Sequence, residues 1–213
     1  MFFALIKGVE AENTSLCILA LGDSYTFGEG VESKDRWTDQ LQEQLRAQGI
    51  TVEAIDMIAR SGWTSQELLA AIPQSNPRGP YDLVTILIGT NDQFQGRDPQ
   101  LYRQDLTQIL RQAVALAGND PKRVFVVSLP DWSVSPYAVA LDQAAVSSEI
   151  NIFNDIALHA AEDVHARWID ITTRTRQRTD PAMYTIDGLH PAAALYKEWV
   201  SVILPQTLSV LQK

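Results

Sequence analysis

Two hydrophobic patterns alternate along the chain. Five short apolar runs, at about 15–21, 51–57, 82–88, 123–128 and 167–171, have the length of strands. The third, Asp82-Leu-Val-Thr-Ile-Leu-Ile88, is nearly continuous, as expected for a strand covered on both faces. Helical periodicity fills the intervals. Trp37, Leu41 and Leu45 predict a helix over 37–48, with Gly49 as its stop. Thr64-Ser-Gln-Glu67 is a capping-box pattern that starts a helix, and Pro73 is expected to end it. Asp98-Pro99 opens a helix whose Tyr102, Leu106, Ile109, Leu110 and Ala113 share one face. An Ala-rich helix is predicted over about 141–165, and a last one over about 192–211.

Regular alternation of strand and helix predicts an α/β layered fold with a parallel sheet. The least regular stretches are 22–36, 89–97, 129–140 and 172–190, and they follow strands 1, 3, 4 and 5. In an open parallel sheet, ligands bind beyond the carboxyl ends of the strands. Chemistry is therefore sought in those four stretches.

Composition narrows the picture. A length of 213 residues points to one domain, and 46% apolar with 20% charged residues to an ordinary globular core. The net charge of -9 argues against a nucleic-acid partner, since phosphate binding leans on Lys and Arg. The single cysteine, Cys17, lies in the first strand and is read as a small core residue. The apolar start, Met-Phe-Phe-Ala-Leu-Ile-Lys-Gly, is shorter than a secretory apolar region and has no positive charge before it. No run reaches the ~18 apolar residues of a membrane span. A cytoplasmic protein without stable membrane insertion is expected.

Four places carry possible chemistry. Ser24 follows Gly22-Asp23 at the end of the first strand, and it reads as a nucleophile or as a turn or capping serine. His190 stands before Pro191, which extends its backbone just ahead of the last helix. Asp187, three residues earlier, is positioned to orient the imidazole or else to cap that helix. Asn91, after Gly89-Thr90, suits an oxyanion donor or an Asn-Asp turn. Gly62 is a turn glycine or an exposed backbone N–H aimed at the same oxyanion. His159 and His165 fall on the Ala-rich helix as surface residues. The first loop fits neither a P-loop, because Glu29 stands where lysine is needed, nor a dinucleotide fingerprint. No Cys/His cluster has zinc spacing, so no metal or other cofactor is expected.

In chain order these blocks read Gly-Asp-Ser, Gly, Gly-x-Asn-Asp and Asp-x-x-His, from Gly22 to His190. That order resembles the GDSL, or SGNH, hydrolases. The resemblance implies a flavodoxin-like three-layer α/β/α sandwich with a five-stranded parallel sheet. It implies Ser24 as nucleophile, His190 as base and Asp187 as its orienting carboxylate. The oxyanion hole would be Ser24 N–H, Gly62 N–H and the Asn91 amide. Asp23, Trp132 and Tyr137 are expected to contribute to substrate binding, the last two from a loop, 129–140, that matches no family block. Tyr25 stands where many members carry Leu or Ile. The activity implied is hydrolysis of a small-molecule carboxylic ester through an acyl-enzyme. Alternatives are acyl transfer from the same intermediate and a catalytically silent binding module.

Overall fold

The structure, a computed structural model, describes residues 15–211; the apolar N-terminal stretch Met1–Gly8 lies outside them. Strands β1 (Leu16–Gly22), β2 (Val52–Ala59), β3 (Leu83–Leu87), β4 (Val124–Val127) and β5 (Arg167–Ile169) form one parallel sheet in the order β2-β1-β3-β4-β5. Helices α1 (Ser24–Phe27) and α2 (Trp37–Ala47) follow β1, and α3 (Ser65–Ser75) follows β2. The β3–β4 crossover holds α4 (Thr90–Phe94) and α5 (Pro99–Leu116), and the next holds α6 (Gln143–Asp163). Helices α7 (Thr172–Arg176) and α8 (Ala193–Leu211) complete the chain. This strand order is the flavodoxin-like one, in which the winding direction reverses between β1 and β3 and leaves a crevice there.

Strand alternation builds two cores. Leu19 and Leu21 of β1 point to one face, with Val84, Ile86, Val124 and Val126, against Leu68, Leu106, Ile109, Leu110 and Phe153 of α3, α5 and α6. Ile18, Leu83, Leu87, Phe125 and Val127 point to the other, against Trp37, Leu41 and Leu45 of α2 and Leu195, Trp199 and Ile203 of α8. Each such fully buried side chain stabilises the fold by about 1.5–3 kcal/mol. The three residues that define the α2 stripe in sequence are all buried, together with Thr38.

Local signals mostly act as read. The Thr64 N–H donates to Glu67 Oε2 at 2.8 Å, which forms the capping box. Asp98 accepts from Gln100 N–H at 2.8 Å at the head of α5. Gly49 takes a φ of +78° just past α2. Pro73 does not end its helix as expected. It lies in the last turn of α3, where the loss of one amide donor is tolerated, and the helix stops two residues later as Asn76 turns left-handed with a φ of 47°. Three of the stretches read as irregular contain single-turn helices, α1, α4 and α7. One turn is too short for periodicity to register. Cys17 is only partly buried, packed against the edge of the first core rather than within it.

The junction of β1 and α1 leaves no room for a side chain at Gly22. A methyl group on Gly22 would sit 2.5 Å from the Leu87 carbonyl oxygen and also strike Thr26. Gly22→Ala should therefore force β1 and β3 apart and cost about 1–3 kcal/mol. A urea midpoint equal to that of the wild type would contradict this packing.

Asp23 caps α1, with Oδ1 accepting the Tyr25 N–H at 3.0 Å. The side chain is fully buried, and Oδ2 has no partner among the described residues. Burial pushes its pKa up to about 7, against the pull of the Tyr25 N–H and with a further push from the Asp92 charge. In an unfolded chain the same carboxyl ionises near pH ~3.9. Between those values the folded state keeps a proton that the unfolded state has released, so stability falls as pH rises from about 4 to about 7. Asp23→Asn keeps a capping oxygen and removes the titration. Its melting temperature relative to wild type should climb between pH ~5 and ~7.5. A constant difference across that range would contradict a buried, proton-holding Asp23.

Candidate active site

The nucleophile candidate is set by the end of β1. Asp23 leaves the strand in extended conformation, and Ser24 is the first residue of α1. As such, its N–H has no partner within the helix and its hydroxyl stands at the switch point of the sheet. Ser24 itself is 5% exposed.

The imidazole arrives from the other end of the chain on a small hairpin. Tyr184 and Pro191 pair in antiparallel fashion, Thr185 N–H donates to His190 O at 2.8 Å, and Ala192 N–H donates to Met183 O at 2.9 Å. The hairpin tip wraps the Asp187 carboxylate. Oδ1 accepts from Thr185 Oγ1 at 2.7 Å, Leu189 N–H at 2.8 Å and His190 N–H at 3.0 Å. Oδ2 lies 2.6 Å from His190 Nδ1. Burial alone would raise the Asp187 pKa, but the hydrogen bonds from His190, Leu189 and Thr185 outweigh it and hold the carboxyl well below its usual range. An ionised carboxylate can only accept, so Nδ1 carries the proton and Nε2 of the neutral ring is the acceptor. That Nε2 is 2.9 Å from Ser24 Oγ, across 166 residues of sequence. Tyr25 packs against the ring, with centroids 5.4 Å apart.

Two more elements close the opposite side. Trp63 N–H donates to Arg60 O at 3.2 Å, and Gly62 holds a φ of +84°, the left-handed third position of a type II turn. Asn91 is on α4, just past β3, and its Nδ2 donates one hydrogen to Trp63 O at 2.9 Å. The amide has a second N–H to offer. Next to it, buried Asp92 accepts from Ser65 N–H at 2.7 Å, Ser65 Oγ at 2.6 Å and Arg97 Nη1 at 2.8 Å. The Gly62 loop and α4 are thereby fastened to one another.

A cavity of about 450 Å³ opens between these elements, lined by Ser24, Gly62, Asn91, Asp187 and His190 together with Tyr25, Glu29, Ser61, Thr90, Phe94, Trp132 and Leu189. That volume is in the range of small-molecule sites. Its apolar wall is an aromatic cluster. Phe94 meets Trp132 edge-on at 5.6 Å between centroids, and Trp132 Nε1 donates to Gln93 Oε1 at 2.8 Å.

The structure thus brings together Ser24, Gly62, Asn91, Asp187 and His190, and it sets Trp132 in the wall. Two expected substrate contacts fall elsewhere. Asp23 does not face the cavity; it is sealed beneath α1 by its capping role. Tyr137 is not among the residues that line the cavity; its ring meets Trp132 edge-on at 6.1 Å, and the residue is 46% exposed. His159 and His165 are exposed and do not line the cavity; His165 is not on the Ala-rich helix as expected but lies just past the end of α6, with a φ of 60°. Sequence reasoning missed Phe94 and Glu29. An apolar residue in a loop just beyond β3 was the available signal for Phe94. In sequence Glu29 stands out only as the residue occupying the place where a P-loop needs lysine. Among the described residues, no three His, Cys, Asp or Glu side chains converge as metal ligands.

Comparison with known proteins gives a consistent result. The model of the GDSL-like Lipase/Acylhydrolase family matches residues 20–198. An "Arylesterase" of Vibrio mimicus is 30% identical over 110 residues, 52% of this chain and 53% of that protein. A "Thioesterase 1/protease 1/lysophospholipase L1" of Escherichia coli is 34% identical over 104 residues, 49% of this chain and 48% of that protein. The chain thus spans about half the length of the curated relatives it matches. Among solved structures, TesA superposes with a TM-score of 0.74 at 22% identity, covering 92% of this chain and 99% of that one. The psychrotrophic esterase EstA from Pseudoalteromonas sp. gives 0.70 at 19% identity, covering 93% and 100%. These two likenesses concern the fold. The family match takes in Ser24, Gly62, Asn91, Asp187 and His190, and with it this chain belongs to the GDSL-like lipase/acylhydrolase family.

Proposed function

We propose that the protein hydrolyses small carboxylic esters through an acyl-enzyme on Ser24. The observation that carries this reading is the unbroken line from the Asp187 carboxylate, through the ring of His190, to Ser24 Oγ, at 2.6 Å and 2.9 Å. In the first step His190 Nε2 takes the hydroxyl proton as Ser24 Oγ bonds to the acyl carbon. The carbonyl oxygen, now negative, is met by Ser24 N–H, Gly62 N–H and the second N–H of Asn91. The intermediate collapses, the bond to the alcohol oxygen breaks, and His190 gives that oxygen its proton. Water then attacks the acyl carbon, yields a proton to His190, and the acid leaves as Ser24 recovers its hydrogen. Asp187 stays ionised throughout, stabilising the imidazolium.

The cavity supports a short acyl or aryl group, with Phe94 and Trp132 as its apolar wall. The free thiol of Cys17 is compatible with the expected cytoplasmic setting. No helix among the described residues is long and apolar enough to cross a membrane.

Two substitutions test the assignment on p-nitrophenyl acetate. Ser24→Ala should lower kcat by about 10⁴-fold or more, with the melting temperature unchanged. Retention of wild-type turnover would remove Ser24 from the reaction. Asn91→Ala should lower kcat by about 10²–10³-fold while KM changes little, as expected for a donor that acts on the transition state. A change confined to KM would instead make Asn91 a ground-state contact.

A further inference from the structure

Glu29 is the one carboxylate in the cavity wall that the proposed reaction leaves without a task. It lines the same space as Ser24 and His190, half-buried, on the loop that follows α1. Its carboxylate accepts a hydrogen bond from the Ser61 hydroxyl, next to Gly62. No Lys or Arg lines the cavity, and no ion pair among the described residues involves Glu29. The other carboxylate of the wall, Asp187, is compensated by four donors. Glu29 is therefore the carboxylate of the wall held by one hydroxyl donor and by no ion pair among the described residues, in a chain of net charge -9. Arg36 packs against neighbouring Gly28 but does not line the cavity.

Its position also has a direction. The leaving alcohol must take its proton from His190 Nε2, so the alcohol lies on the hairpin side of Ser24. The Glu29 loop runs between the two sides of the cavity: a Cβ on Gly30 would lie 2.9 Å from Thr185 Cγ2 of the hairpin, while the Glu29 carboxylate accepts from Ser61 beside Gly62. A positive group on the alcohol would be attracted by the Glu29 carboxylate. A sulfonate or phosphate there would meet a negative charge with no guanidinium or ammonium in the cavity wall to receive it.

We propose that Glu29 is a specificity-determining residue, and that it makes this pocket favour esters of cationic alcohols, such as quaternary ammonium alcohols, over esters of anionic ones. The proposal rests on the ester-hydrolase reading above and selects a substrate class within it.

The test uses three acetates of similar size: acetylcholine, its neutral carbon isostere dimethylbutyl acetate, and the sulfonate acetylisethionate. For each, kcat/KM of the wild type is divided by that of Glu29→Gln, which cancels the intrinsic reactivity of the ester. The quotient should be about tenfold higher for acetylcholine than for the neutral ester, and several-fold lower for the sulfonate. Glu29→Lys should invert the order, and about 0.5 M salt should compress it. If Glu29 merely holds the Gly62 loop through Ser61, the substitution would change all three quotients equally, as would Ser61→Ala. Equal quotients for the three acetates would overturn the proposal while leaving ester hydrolysis intact. Absence of turnover on any ester, neutral p-nitrophenyl acetate included, would instead overturn the underlying reading and this one with it.

Discussion

The site depends on how the Asp187 carboxylate is held. Four donors from its own hairpin surround it, three on one oxygen and the imidazole on the other. That arrangement keeps the carboxyl ionised, sets which ring nitrogen bears the proton, and aims the second nitrogen at Ser24. The hairpin is fixed in turn by the Tyr184–Pro191 bridge and by α8, whose Trp199 and Tyr196 are buried against the sheet. Orientation of a 2.9 Å contact is thus delegated to a motif of ten residues whose internal bonds are all short-range.

The opposite wall is built on a different principle. Gly62 and Asn91 come from separate crossovers and are joined by buried charge: Asp92, Arg97 and Asp105 form a network that also captures Ser65 at the head of α3. Loss of one partner from such a network leaves an uncompensated buried charge, which is costly. Fastening the two loops in this way would hold the proposed oxyanion donors at a constant separation. The donors are then in place before charge develops, which is the condition for a large electrostatic effect.

Much of this was legible in the sequence because strong periodic and terminal signals coincide with structure. The continuous apolar run at β3, the α2 stripe of Trp37, Leu41 and Leu45, and the capping box at Thr64 each led to the element they indicate. The five residues Ser24, Gly62, Asn91, Asp187 and His190, singled out in sequence by their places at strand ends and by their order, line one cavity. The rest was hidden for physical reasons. Helices α1, α4 and α7 span four or five residues, too few to show a face. Asp23 is part of the signature block, yet its carboxylate is consumed by capping, which only the direction of the chain after β1 decides. Tyr137 and Trp132 lie on one loop, and which of them faces the cavity depends on the anchor between Trp132 and Gln93. Glu29 carries no periodic or motif signal at all; only the folded loop shows it lining the same cavity as Ser24.

The convergence of hairpin, nucleophile and oxyanion donors is tested most directly by a crystal structure of the protein after reaction with a p-nitrophenyl alkylphosphonate. The phosphorus should be bonded to Ser24 Oγ, and the phosphoryl oxygen should lie about 2.7–3.1 Å from Ser24 N, Gly62 N and Asn91 Nδ2. Phosphorus on another side chain, or a phosphoryl oxygen turned away from Gly62 and Asn91, would contradict the account.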